Sequence, residues 1–222
     1  LVHRMVYDPR LRRVDLVQVI VSDPVASAVA EPQVQQLAQE IANAFEFMAG
    51  RFGPPPLRTL TVSPIPGTFG QGFPGLVYLS TTAYLKPEER PPAVANDFHQ
   101  AFFSDILHAH EIAHQWWGNA VSSWGAEDAW LVEALANYSA LLYLEKRLGT
   151  RALDAMLEAY RKRLLAQTTE GRTKESVGPI VWGGRLLSSE APDAIETIVY
   201  EKGSWILHML RKQLGDERFL AM

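Results

Sequence analysis

The sequence predicts an α+β protein, a small strand-bearing part followed by a mainly helical one. Strand-like segments fall before about residue 80, apolar residues at helical spacing dominate after about residue 97, and one helical pattern is set among the strands. The expected organisation is a β-rich lobe over residues 1–96 and a helical lobe over residues 97–222, together one domain.

Val14 to Val21 reads as the first strand, β-branched and partly alternating. From Pro32 to Phe52, Val34, Leu37, Ile41, Ala44, Phe45 and Met48 recur at helical spacing, and Gly53-Pro54-Pro55-Pro56 ends that helix. Leu57–Val62 and Leu76–Leu79 read as two further strands separated by a Gly- and Pro-rich loop, and Glu88–Pro92 as a polar surface turn. Four helices are expected over 97–117, 128–148, 151–167 and 193–214. The long connection 171–192, with Gly178-Pro179 and Gly183-Gly184, is a candidate functional loop.

Composition removes several classes of function. The 222 residues include 25 acidic and 21 Lys/Arg side chains, for a net charge of −4 and no basic cluster, so a nucleic-acid partner is not expected. With no cysteine, disulfides and thiolate metal sites are excluded, and any metal must be held by nitrogen and oxygen. No segment has the roughly 18 continuous apolar residues of a membrane helix, so a soluble domain of unspecified compartment is expected. The opening Leu1-Val2-His3-Arg4 lacks an initiator Met and the plan of a signal peptide. The chain reads as part of a longer polypeptide whose flanking domains lie outside it.

The most informative stretch is His110-Glu111-Ile112-Ala113-His114. Two histidines four apart project from one helix face and can share one ion, while the glutamate between them lies beside that ion. A zinc hydrolase needs this layout: two imidazole ligands, a third from elsewhere, and a carboxylate to take a proton from water. Ile106, Leu107, Ile112, Ala113, Trp116 and Trp117 surround the motif, and burying two His and a Glu there is unfavourable unless something pairs with them. Glu133 interrupts the apolar run Ala129–Ala136. A returning helix capped near Asp128 would bring it antiparallel to the histidines as the third ligand of one Zn2+, leaving the fourth position for water. His108 falls on another face and reads as a core or supporting residue; Asn137 is a candidate partner for a zinc histidine. Trp116, Trp117, Trp124 and Trp130 read as packing residues.

Three separated motifs resemble the gluzincin peptidases of the aminopeptidase N family: His110-Glu111-x-x-His114-Gln115-Trp116-Trp117-Gly118-Asn119, Trp130-Leu131-x-Glu133-Ala134 and Tyr200-Glu201-Lys202-Gly203. The resemblance covers about residues 105–212. It implies a thermolysin-like zincin fold, zinc on His110, His114 and Glu133, and Glu111 as the group that activates water. It also implies that Tyr200 hydrogen-bonds the oxyanion of the tetrahedral intermediate. Spacing alone leaves Tyr200 a core or interface tyrosine. The implied substrate is a peptide.

One departure concerns the amine-binding glutamate that family exopeptidases carry in a Gly-x-Met-Glu-Asn stretch just before Gly-Leu. The corresponding segment here is Phe69-Gly70-Gln71-Gly72-Phe73-Pro74-Gly75-Leu76, and no acid occurs from Pro64 to Leu85. Three activities stay open on sequence grounds: an aminopeptidase, an endopeptidase or other peptidase without amine recognition, and a catalytically weak zincin-fold interaction module. An extended peptide is expected to add to an edge strand near Gly75–Leu79.

Overall fold

A five-stranded mixed sheet carries the N-terminal part of the chain. The computed structural model describes residues 2–11, 13–20 and 31–222. The strands are β1 (Val2–Asp8), β2 (Arg13–Ile20), β3 (Thr59–Ile65), β4 (Gln71–Phe73) and β5 (Leu76–Ser80), in spatial order β2-β1-β3-β5-β4. β1 runs antiparallel to β2 and β3, β3 parallel to β5, and β4 antiparallel to β5. Asp8 shapes the β1–β2 hairpin: its carboxylate accepts the Arg10 amide at 2.8 Å, a local bond that holds the turn.

Several sequence expectations need correcting here. The strand expected over 14–21 is Arg13–Ile20, and Val21 lies outside the described residues. β1 and β4 were not anticipated. The expected edge strand Gly75–Leu79 is not an edge, because β5 is paired with β3 on one side and β4 on the other; among the described residues the edge strands are β4 on that side and β2 on the other. In Glu88–Pro92, Arg90 is not a surface residue. Its guanidinium is buried over the Phe103 ring and donates to the Gln100 carbonyl (2.9 Å), Gln100 Oε1 (2.7 Å) and Ser104 Oγ (2.9 Å).

Helix α1 (Glu31–Phe52) lays its predicted stripe against this sheet unit, with Val34, Leu37, Ile41, Ala44, Phe45 and Met48 all buried. Phe45 meets Tyr7 edge-on at 6.1 Å and Trp116 at 5.6 Å, joining strand, helix and the segment after His114. Helix α2 (Asp97–Ala101) is capped by Asn96, whose Oδ1 accepts the His99 amide at 3.0 Å. It passes through a π-helical turn, Phe102–Ile106, into α3 (Leu107–Ala113). The Leu107 amide reaches back five residues to the Phe102 carbonyl there, the spacing of a π turn.

Contacts divide the chain into two units, Leu1–Ala120 and Val121–Met222. The change from strand to helix expected at residue 96 therefore falls within the first of them. The second unit is helical: α4 (Ala129–Leu148), α5 (Thr150–Leu165), α6 (Gly203–Leu214) and α7 (Asp216–Leu220), with a second π-helical turn at Glu196–Lys202 leading into α6. Gly149, at φ +87°, ends α4 and starts α5 in a backbone conformation other residues rarely adopt. The long connection 171–192 is ordered into short 3-10 turns around Val177 and Leu186, which pack on Ile198 and Val199. Salt bridges Arg172–Glu190 (2.9 Å), Lys174–Asp193 and Lys202–Glu175 (2.5 Å) staple it. Among the described residues no helix is long and apolar enough to cross a membrane.

Candidate active site

In the first unit, the chemistry-bearing residues are buried on one helix. Over α3 and its cap, His108, His110, Glu111 and His114 are all buried, His108 completely. The two histidines expected to share an ion face each other, with Nε2 atoms 3.1 Å apart and rings perpendicular. His114 Nδ1 lies 2.9 Å from the Trp117 carbonyl. A carbonyl only accepts, so that nitrogen carries the proton and Nε2 carries the lone pair. Two nitrogens facing at this distance repel unless a proton or a cation is held by both. Ligands about 2.0–2.1 Å from a tetrahedral zinc would stand roughly 3.3 Å from each other, close to what is found. The pair fits the ion.

The helix end is tied to the β4–β5 turn by Gln115 and Asn119, to which sequence reasoning gave no role of their own, and to the end of α1 by Trp116. Gln115 spans the β4–β5 turn, donating through Nε2 to the Phe73 carbonyl (2.8 Å) and accepting the Gly75 amide at Oε1 (2.9 Å). Asn119 Nδ2 donates to the Gly72 carbonyl at 3.4 Å, and Trp116 Nε1 to Gly53 at the end of α1 at 3.1 Å. Trp116 is a packing residue as expected, but Trp124 is fully exposed and is not.

In the second unit, Glu133 stands half-buried on the first turns of α4, just before fully buried Ala134. His110 and His114 offer two imidazole nitrogens within the first unit, and Glu133 offers a carboxylate within the second. Tyr200 lies in the π-helical turn, its ring packed on the Val177–Leu186–Ile198 cluster. Asn137 was expected to support a histidine. Within this unit its Nδ2 shares two hydrogens among Ser204 Oγ (2.9 Å), Tyr160 Oη (3.1 Å) and, at 3.4 Å, the Tyr200 carbonyl.

Glu201, next to Tyr200, was also passed over. It is buried, and Arg163 Nε donates to its Oε1 at 2.6 Å. Burial outweighs Arg163 and pushes the carboxyl up to about 7 from an ordinary 4.5. The folded chain thus holds this proton more tightly than the unfolded chain. The stability linked to it is present below about 4.5 and is lost as pH rises through about 7. Thermal melts of the parent and of Glu201→Gln should therefore diverge across that window, with the parent losing more Tm on going up in pH. Parallel pH dependence of the two proteins would contradict it.

A mixed fold with a buried His-Glu-x-x-His helix defines a metallopeptidase class. Residues 87–222, more than half the chain, match the Peptidase family M1 domain. The chain belongs to peptidase family M1. It is 32% identical to aminopeptidase N of Lactococcus lactis subsp. lactis over 123 residues, 51% of this chain and 13% of that protein. Endoplasmic reticulum aminopeptidase 2 of Homo sapiens is 31% identical over 116 residues, 50% of this chain and 11% of the relative. Leucine aminopeptidase 2-1 of Meyerozyma guilliermondii is 30% identical over 121 residues, 52% and 18% respectively. The chain thus covers less than a fifth of each of these relatives.

Proposed function

We propose that this chain hydrolyses peptide bonds at one zinc ion held by His110, His114 and Glu133, as an aminopeptidase-related enzyme. The thermolysin-like arrangement, with a strand-bearing lobe over 1–96 and a helical lobe over 97–222, belongs to the same proposal. The observation that carries it is the facing pair of imidazole nitrogens with the Glu111 carboxylate buried on the same helix. Zinc bound there supplies Lewis acidity, acidifying water and polarising the scissile carbonyl. Glu111 takes the proton of the attacking water and later delivers it to the leaving amine. The Trp117 carbonyl holds His114 in the tautomer that presents Nε2. Tyr200 donates a hydrogen bond to the oxyanion, a contribution on the order of 3 kcal/mol to the transition state, and Asn137 fixes the backbone that carries it. The outer edge of β4 receives the extended substrate by strand addition. A peptide-library digest with and without a chelator tests the reading; a digest that the chelator leaves unchanged would overturn it.

A second reading concerns the substrate's terminus. No acid occurs from Pro64 to Leu85, and β4 offers glycine at position 72. Enclosing a charged α-ammonium without a carboxylate partner is unfavourable, so only a weak preference for a free N-terminus is expected. The comparison is kcat/KM for a peptide against its N-acetylated twin. Values within about tenfold support the reading. Complete loss on acetylation assigns the amine to another residue, of which Glu127 and Asp128 ahead of α4 are the candidates.

A further inference from the structure

We propose that Gly70 and Gly72 are positioning residues for Glu111, forming a side-chain-free floor against which its carboxylate is held in place. The inference rests on the general-base role given to Glu111 above. Gly72 is the middle residue of β4 and Gly70 stands just before that strand, and both lie against α3. A Cβ placed on Gly70 would stand 2.6 Å from Glu111 Cγ, Cδ and Oε1. One placed on Gly72 would stand 2.5 Å from the Glu111 backbone oxygen and 2.6 Å from His114 Cβ. Neither glycine has a positive φ, so what requires glycine here is the approach of the strand and not its backbone conformation. Glycine within a strand is the ordinary means of such an approach.

The two positions differ in what would have to move. At Gly70 the obstacle is the far end of a side chain. The strand itself cannot retreat, because Gln115 grips Phe73 and Gly75 and Asn119 grips Gly72. A methyl group at 70 is therefore accommodated by swinging the carboxylate aside, which leaves packing nearly intact and moves the base. At Gly72 the obstacles are backbone and Cβ, so a methyl group there pries strand from helix and disturbs His114 as well.

The test compares Gly70→Ala, Gly72→Ala, Glu111→Gln and the double variant Gly70→Ala/Glu111→Gln in kcat, KM, zinc per chain and Tm. Gly70→Ala is expected to lower kcat by about 10- to 100-fold with KM held within about twofold, and with zinc content and Tm near those of the parent. In the Glu111→Gln background it should add nothing, since the group it displaces is already inactive. Gly72→Ala is expected to lower Tm and zinc content together. A full additional loss in the double variant would overturn the inference, as would normal turnover by Gly70→Ala where Glu111→Gln is inactive. Normal turnover by zinc-loaded Glu111→Gln would overturn the general-base reading itself, and this inference with it.

Discussion

Replacing His110 or His114 with alanine is expected to strip most of the zinc and, with it, measurable hydrolysis. Each change removes one of two imidazoles whose Nε2 atoms stand 3.1 Å apart, and no cysteine exists to substitute. Losing only a group that orients a ligand weakens a metal site by about 10- to 100-fold, so losing a ligand should exceed that. Elemental analysis of the purified variants gives the readout, and full retention of zinc in both would remove these residues from the site. Acidification should release the ion from the parent as well, because a protonated imidazole cannot ligate.

Glu111→Gln is the sharper separation of binding from chemistry. The amide keeps the size of the carboxylate, so it still fits beside Gly70, but it cannot take a proton from water. Zinc content and Tm should match the parent while kcat falls at least about a hundredfold, the scale of general-base catalysis. Near-normal turnover by the zinc-loaded variant would assign the base to another group. Together with the histidine variants, it distinguishes a catalytic centre from a metal that only stabilises a fold.

Much of this was legible from spacing. The His-Glu-x-x-His helix, the α1 stripe and α4 through α6 all announce themselves by apolar periodicity, because each buries one face against a neighbour. β4 was not legible, since a three-residue strand with a central glycine has the composition of a loop; missing it put the sheet edge one strand too far in. β1 was missed because Val2–Asp8 mixes charged and apolar residues without a clear alternation. Glu201 is a different failure. Its partner Arg163 is 38 residues away, and no local pattern distinguishes a buried, paired glutamate from a solvated one. Arg90 escaped for the same reason: a polar segment reads as surface, yet its guanidinium is taken inside by the Gln100 carbonyl and the side chains of Gln100 and Ser104. Local sequence reports periodic burial well. It reports pairing across the fold poorly.

The Gln115 bridge also has a consequence for how the first unit breathes. The Gly75 amide is protected by a side chain of the segment after α3, whereas the neighbouring Thr61 amide is protected by the Gly75 carbonyl within the sheet. Deuterium exchange at Gly75 therefore reports separation of the helix end from the β4–β5 turn, while exchange at Thr61 reports opening of the sheet. In Gln115→Leu the first should quicken and the second stay slow, and equal acceleration of both would contradict the assignment. A single glutamine beside His114 thereby makes the hold of the helix end on the β4–β5 turn readable at one amide.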